Sequence, residues 1–210
     1  DFIYLVFAMK VLCFALFASA FNLLLGFTGL LSIGHAAIYG RSEYITAYLC
    51  KEAGLSPELG IVLGVLGSGA LGFLIGSLAI RRQGIYFAMV TLVLTEVTRL
   101  TALALPITNG AKGITSIPLP TELSIFGVVL IPDFSQLANP KLAFYLMAVV
   151  LMCLSYAIVW RIVNSRLGHL CRSLQQNEEL ASSIGVNTAY LRVLAYSISS
   201  FFGGVAGAVF

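Results

Sequence analysis

The residue types that most often catalyse reactions or bind metals are few and widely spaced in this sequence. Its two histidines are His35 and His169, and the four cysteines, at positions 13, 50, 153 and 171, form no C-x-x-C pair. Glu178 and Glu179 are adjacent, but no metal-ligand spacing surrounds them, and no G-x-x-x-x-G-K-[ST] phosphate loop occurs. We therefore expect no catalytic residue, no metal site and no bound cofactor, and any use of ATP would belong to a separate chain.

Charged and hydroxyl-bearing residues within long apolar stretches form a second group of candidates. Glu96 and Arg99 are three residues apart, so on a helix they share a face and can form an ion pair. That pair is either structural or a contact for a transported substrate. Small and hydroxyl-bearing residues also recur at helical spacing beside it, and they predict either a helix-packing seam or a wall of a polar pathway: Ala88, Thr91, Thr95, Thr98 and Ala102. Thr91, Thr95 and Glu96 are the candidates for such a pathway.

The stretch from Gly26 to His35, GFTGLLSIGH, interrupts the first apolar region with three glycines and several polar side chains. A glycine-rich break of this kind can expose backbone amide and carbonyl groups towards a site near the membrane midplane. Gly34 and His35 are therefore further candidates for a translocation pathway. A buried, hydrogen-bonded histidine with a purely structural role is the alternative.

Composition indicates that these stretches lie in a membrane. Hydrophobic residues make up 59% of the 210-residue chain and charged residues only 10%, and the net charge of +3 includes no basic run of the kind that binds nucleic acid. A membrane-spanning helix needs about 20 mostly apolar residues. Six segments approach that length, namely Phe2 to Leu25, Ile33 to Cys50, Leu59 to Ile80, Ile85 to Leu105, Leu142 to Val163 and Ala189 to Phe210. The sequence therefore predicts an all-α, polytopic transmembrane helical bundle of about six segments in one domain, residues 1–210, in which the second segment is broken or re-entrant.

Alternating these segments across the bilayer separates the basic residues. Arginines 81, 82, 161, 166 and 172 fall on one side and lysines 51, 112 and 141 on the other, which predicts that the arginine side is cytoplasmic. Residues 106–140 then form an external loop, and residues 165–188 form a cytoplasmic one. The chain begins without Met and ends within an apolar run, so we interpret it as a piece of a longer protein.

Small residues spaced four apart predict close helix packing. They are Ser68, Gly72 and Gly76 in the third segment and Gly203 and Gly207 in the sixth. Such spacing lets helix backbones approach each other. The sequence does not decide whether that packing lies within one subunit or between subunits.

The cytoplasmic stretch from Ser165 to Gly185, SRLGHLCRSLQQNEELASSIG, is polar and helix-capable. Leucines 167, 170 and 174 recur at helical spacing, and Glu178, Ala181 and Gly185 are expected to share a face. A cytoplasmic helix framed by membrane spans is suited to binding a soluble partner. An ordinary solvated loop is the alternative.

The residues of this stretch resemble those of a known family. Asn177, Glu178, Ala181 and Gly185, as N-E-x-x-A-x-x-x-G, resemble the coupling loop of ABC-importer membrane subunits, and the preceding SRLGHLCRSLQQNEE is similar to the lead-in of LivM-type branched-chain amino acid permeases. Three earlier segments resemble the same family, namely NLLLGFTGLLSIGHAAIYG, GIYFAMVTLVLTEVTRL and TNGAKGITSIP.

The resemblance implies a permease subunit of an ATP-driven importer, without enzymatic activity of its own, in a bacterial or archaeal cytoplasmic (inner) membrane. Its partners would be two cytoplasmic ATP-binding subunits, a second related permease and an external or periplasmic solute-binding protein. The family pattern assigns the ATPase contact to Arg172, Asn177, Glu178, Ala181 and Gly185. The substrate would be a branched-chain or related amino acid. A urea or short-chain amide permease is the alternative, and a membrane scaffold or sensor that binds a cytoplasmic partner is an alternative of a different class.

Overall fold

The structure, a computed structural model, describes most of the 210-residue chain. The described residues are 2–52, 54, 57–80, 84–105, 114, 123–125, 128–131, 140–183 and 185–210.

Eight helices and two short strands make up the part of the chain that is described. The helices are α1 (Phe2–Thr28), α2 (His35–Lys51), α3 (Pro57–Ala79), α4 (Ile85–Ala104), α5 (Pro140–Val163), α6 (Arg166–Gln176), α7 (Glu178–Ser183) and α8 (Thr188–Val209). The strands are β1 (Leu123–Ile125) and β2 (Val128–Ile131), which pair antiparallel. The predicted helical bundle is thus confirmed, with a small hairpin added inside the segment 106–140.

Helix ends follow local sequence signals. Pro57 is the first residue of α3, a position where its missing N–H removes no helical hydrogen bond. At the start of α8, the side chain of Asn187 accepts a hydrogen bond of 3.1 Å from the backbone N–H of Tyr190, which caps the helix.

Helix α8 lies at the centre of the bundle and packs against α1, α2 and α3. The small residues predicted to allow close approach lie at these contacts. A Cβ atom on Gly72 would meet the side chain of Ser200, and one on Gly76 would lie 3.0 Å from the ring of Tyr196. A Cβ on Gly207 would overlap the backbone of Tyr39 in α2. These small residues therefore pack helices within one chain.

Four of the described helical segments are long and apolar enough to cross a membrane alone. They are Phe7–Thr28, Leu59–Ala79, Ile85–Ala104 and Thr188–Val209. The pair formed by α5 and α6, bent by 63°, brings the number of candidate spans to as many as five. The chain is thus a multi-pass membrane protein.

The second predicted segment corresponds to α2, which is continuous over 17 residues. At a rise of 1.5 Å per residue, α2 is about 25 Å long, slightly shorter than a typical hydrocarbon core. The glycine-rich break lies before this helix, at residues 29–34, and not within it.

Side-chain contacts place the link between α1 and α2 at the same end of the bundle as α6. The guanidinium of Arg172 lies 4.8 Å from the ring centroid of Phe27, and a Cβ on Gly29 would lie 3.2 Å from Cγ of Gln175. Lys51 ends α2, which begins near that end at His35. The orientation residues Arg81, Arg82 and Lys112, and the TNGAKGITSIP motif except Ile114, lie outside the described residues.

Candidate functional site

The candidate coupling segment, residues 165–188, begins at a tight corner between α5 and α6. The corner bends the chain by 63°, and Gly168 lies buried within it. A Cβ on Gly168 would come within 2.8 Å of the Cα of Val163 and still closer to its carbonyl group. Because backbone atoms cannot move aside cheaply, only glycine fits at this corner.

Helix α6 is amphipathic and lies against the ends of α1, α7 and α8. Cys171 and Leu174 of α6 join Ala181 of α7 and Leu191 and Ala195 of α8 in one buried apolar cluster, called here the coupling cluster. Burial raises the pKa of the Cys171 thiol to about 11, so this side chain is neutral at physiological pH. The coupling cluster attaches the segment to the membrane bundle.

The leucine spacing of the sequence only partly predicts this buried face. Leu174 is buried as expected, whereas Leu170 is exposed and Leu167 is half-buried. Gly168 and Cys171 occupy the buried face instead. The outward face of α6 carries polar residues, which include Arg166, His169, Arg172, Gln175 and Gln176.

Helix α7 ends in a Schellman motif centred on Gly185. The backbone N–H of Val186 donates to the carbonyl oxygen of Ala181 at 3.2 Å, and that of Gly185 donates to Ser182 at 3.0 Å. Gly185 has a φ of 86°, a left-handed conformation that glycine adopts without strain. The expectation that Glu178, Ala181 and Gly185 share one helix face is therefore wrong for Gly185, because α7 ends at Ser183.

The other residues assigned to the ATPase contact have distinct surroundings. Ala181 lies in the coupling cluster, and Arg172 is exposed over the ring of Phe27. Asn177 is exposed between the two helices, and its carbonyl oxygen accepts a hydrogen bond of 3.1 Å from the N–H of Ala181. Glu178 is half-buried and forms an ion pair with Arg192 of α8. The five residues thus lie in one segment, but Ala181 faces inwards while Arg172 and Asn177 face outwards.

Arg192 is a residue of this site that the family pattern does not include. Its Nη2 lies 2.6 Å from Oε2 of Glu178, and the residue is only 9% exposed. Arg192 is the fifth residue of α8 and lies 14 residues after Glu178, a spacing that does not by itself predict the pair. From the sequence, an arginine near the start of the last apolar segment indicates only which side of the membrane that end faces.

The candidate pathway residues Gly34 and His35 lie where α1, α2, α4 and α8 meet. His35 is fully buried, and its Nε2 lies 2.7 Å from Oγ of Ser199. The hydroxyl of Ser199 donates to the carbonyl of Ala20, so His35 Nε2 is the donor in the first bond. A Cβ on Gly34 would lie 3.1 Å from Thr91, which brings these two candidates together. His35 is thus a buried, hydrogen-bonded side chain that joins α2 to α8.

The hydroxyl groups of the threonine stripe on α4 are hydrogen-bonded to carbonyl oxygens of the same helix. The hydroxyls of Thr91, Thr95 and Thr98 donate to the carbonyl oxygens of Ala88, Thr91 and Leu94, at 2.9, 2.8 and 2.7 Å. Thr91 is buried, and Thr95 and Thr98 are half-buried. This geometry corresponds to the helix-packing interpretation of the stripe.

The last pathway candidate, Glu96, lies on a different face of α4 from the buried Thr91. Its carboxylate accepts hydrogen bonds from Nε and Nη2 of Arg99, the latter at 2.5 Å, and the two side chains are 52% and 58% exposed. The pair expected from the sequence therefore forms. The structure brings Gly34, His35 and Thr91 together but leaves Glu96 on the surface of the described bundle.

Among the described residues, no group of three or more His, Cys, Asp and Glu side chains could hold one metal ion. The four cysteines are not joined by disulfides.

Comparison with known proteins extends the resemblance over the whole chain. Residues 3–210 match the family described as branched-chain amino acid transport system / permease component. The high-affinity branched-chain amino acid transport system permease protein LivM of Salmonella typhimurium strain LT2 is 29% identical over 97% of this chain and 51% of its own length. The protein of the same description from Escherichia coli strain K12 is 31% identical over 90% of this chain and 48% of its own length.

The chain spans about half the length of the curated relatives it matches. No solved structure gives a significant match. The family match covers the polar segment, the bundle around α8 and the glycine-rich break alike, and the chain therefore belongs to the family of permease components of branched-chain amino acid transport systems.

Proposed function

We propose that this chain is the membrane-embedded part of a permease subunit in an ATP-driven ABC importer of branched-chain amino acids. Family membership supports the transport role, and the description of the two relatives supports the substrate class. The subunit lies in the cytoplasmic membrane of a bacterium or archaeon. It acts with two cytoplasmic ATP-binding subunits, a second related permease and an external solute-binding protein.

The geometry of the coupling segment is the observation that carries this proposal. Helices α6 and α7 are bound to α8 by the coupling cluster, and α6 presents a polar face away from the bundle. A soluble ATPase that binds this face would move α8 together with the segment as a rigid body. In this proposal Arg172 and Asn177 contact the ATPase, while Glu178, Ala181 and Gly185 hold the segment in shape.

The permease supplies a route for the solute, and ATP hydrolysis takes place in the partner subunits. A movement driven by ATP hydrolysis is therefore received by the coupling segment, and packing contacts transmit it to the membrane helices. Gly34, His35 and Thr91 lie at the crossing of these helices, so any change in their packing would alter the route. The sequence also proposes Thr95 and Glu96 as pathway residues, but in the structure the Thr95 hydroxyl is bonded within α4 and Glu96 is paired with Arg99 on the surface.

Reconstitution tests the proposal. The full-length subunit is purified with its partner subunits, placed in liposomes and assayed for ATP hydrolysis and solute uptake with and without the binding protein. We expect the binding protein to stimulate both activities, with uptake of leucine and valine. Uptake of urea but not of leucine would favour the amide permease, and assembly without any solute flux would favour the scaffold.

A further inference from the structure

We propose that Arg192 is a positioning residue for coupling, because its ion pair with Glu178 makes α7 move together with α8. This inference rests on the proposed function and assigns a role to a residue outside the family's coupling pattern. The ion pair joins α7, in the segment that an ATPase would bind, to α8, the helix at the centre of the bundle.

The first observation is the burial of Arg192. Among the lysine and arginine side chains that the structure describes, it is the only buried one. Its guanidinium reaches Oε2 of Glu178 at 2.6 Å, while the Glu178 side chain remains 32% exposed. An arginine is kept away from water only where a specific partner compensates for the lost hydration, so the pair fixes Arg192 to α7.

The second observation is the position of the pair beside the coupling cluster. Leu191 and Ala195, on either side of Arg192 in sequence, pack in that cluster, as does Ala181, three residues after Glu178. The α7 helix has only six residues, and a helix of this length depends on tertiary contacts to stay folded. Apolar packing brings α7 to α8, and the ion pair specifies the register between them.

The third observation is an unused donor on the same guanidinium. The Nε of Arg192 is buried and has no hydrogen-bond partner among the described residues. Arginine can bind a carboxylate side-on through Nε and Nη2 together. A small displacement of α7 would therefore let the present single bond become a two-bond contact without separating the two helices.

Beyond Arg192, helix α8 transmits movement to the interior. Two turns further along α8, Ser199 binds His35 of α2 and the carbonyl of Ala20 in α1. A shift of α7 that is carried by Arg192 thus reaches three membrane helices. Without the ion pair, α7 could shift over the coupling cluster while α8 stays in place.

The test measures coupling in the reconstituted importer as the ratio of solute uptake to ATP hydrolysis. We expect Arg192→Gln and Glu178→Gln each to lower this ratio by roughly tenfold while ATP hydrolysis continues, because the subunits still bind each other. The charge exchange Arg192→Glu with Glu178→Arg should restore much of the ratio. Arg161→Gln, which changes an exposed arginine in the last turn of α5, is the matched control and should leave the ratio unchanged.

Each outcome bears on the proposal. Unchanged ratios in both single variants, or single-variant losses that the charge exchange does not restore at all, would overturn it. If the glutamine variants fail to assemble, Arg192→Lys decides, because it keeps the charge of the ion pair: a largely retained ratio supports the proposal, and a full loss of the ratio contradicts it. Failure of the proposed function looks different, since the unmodified importer would then show neither stimulated hydrolysis nor uptake.

Discussion

Gly185 closes α7 in a left-handed conformation, and the space around its Cα is open. Apart from its chain neighbours, none of the described residues has an atom within 4 Å of the position that a Cβ would occupy. The cost of a substitution comes instead from the backbone, whose φ of 86° is unfavourable for a β-branched residue. Gly185 is therefore required for conformation and not for close packing.

We predict that Gly185→Val uncouples ATP hydrolysis from uptake while the subunit still reaches the membrane. The substitution strains the Schellman turn by about 1–3 kcal/mol, which the six-residue α7 can relieve by unwinding. The measurement is the ratio of uptake to hydrolysis in liposomes, with membrane insertion checked separately.

Gly185→Asn is the matched control for that substitution, since asparagine tolerates the left-handed conformation better than valine does. We expect this variant to keep most of the coupling. Equal losses in the two variants would show that the space at Gly185 matters and its conformation does not.

At the scale of the element, the corner between α5 and α6 determines whether α6 lies on the coupling cluster. We predict that Gly168→Ala weakens this docking by about 1–3 kcal/mol, because its Cβ would collide with the backbone of Val163. Cys171 reports the change, since in the docked helix it is 3% exposed. With the other three cysteines replaced by alanine, alkylation of Cys171 should be faster in the Gly168→Ala variant.

The pKa of Cys171 determines the pH at which the alkylation assay should be run. Because burial raises the pKa to about 11, little of the docked thiol is thiolate at pH 8, and undocking would lower the pKa towards its ordinary value and make the thiol more reactive. Gly40→Ala is the control, because outside the local α2 backbone none of the described residues has an atom within 4 Å of the Cβ position at Gly40. Equal alkylation rates in the parent chain and the Gly168→Ala variant would contradict the role of the corner.

The membrane helices could be predicted from the sequence because the bilayer sets both their length and their apolar content. The predicted segment from Ile85 to Leu105 differs from α4 by one residue, and that from Ala189 to Phe210 from α8 by one at each end. The bilayer does not constrain the length or apolar content of residues 165–188 in this way. Asn177 divides them into two helices, and Gly168, which has no side chain, lies on the buried face in place of the expected Leu170.

The partners of buried polar groups could not be predicted, because sequence spacing carries no information about distant contacts. His35 was a candidate from its type and position, but Ser199, which binds it, is 164 residues away. The Glu96–Arg99 pair was predictable, since its two members are one helical turn apart. The structure thus adds mainly the long-range contacts of the candidate residues.

At the scale of the whole molecule, α8 connects the coupling segment to the helices around His35. One end of this helix binds the coupling segment through Arg192, and its middle binds α1 and α2 through Ser199. Glycines on α3 and α8 hold these helices so close that little independent sliding is possible. A displacement imposed at the coupling segment is therefore expected to move the bundle as a unit.

The orientation of that bundle gives the last prediction. The end of α2 at Glu52 lies opposite the coupling segment, because α2 starts near α6 and runs away from it. Since the arginines at 161, 166 and 172 predict that the coupling end is cytoplasmic, Glu52→Cys should face outwards and Gln176→Cys inwards. A membrane-impermeant maleimide added to intact cells should label the first variant at least about tenfold more than the second, and inverted vesicles should reverse that order. The parent chain serves as the control for its own four cysteines. Labelling of both variants from the same side would contradict the predicted orientation. It would also contradict the proposed contact between residues 165–188 and a cytoplasmic ATPase.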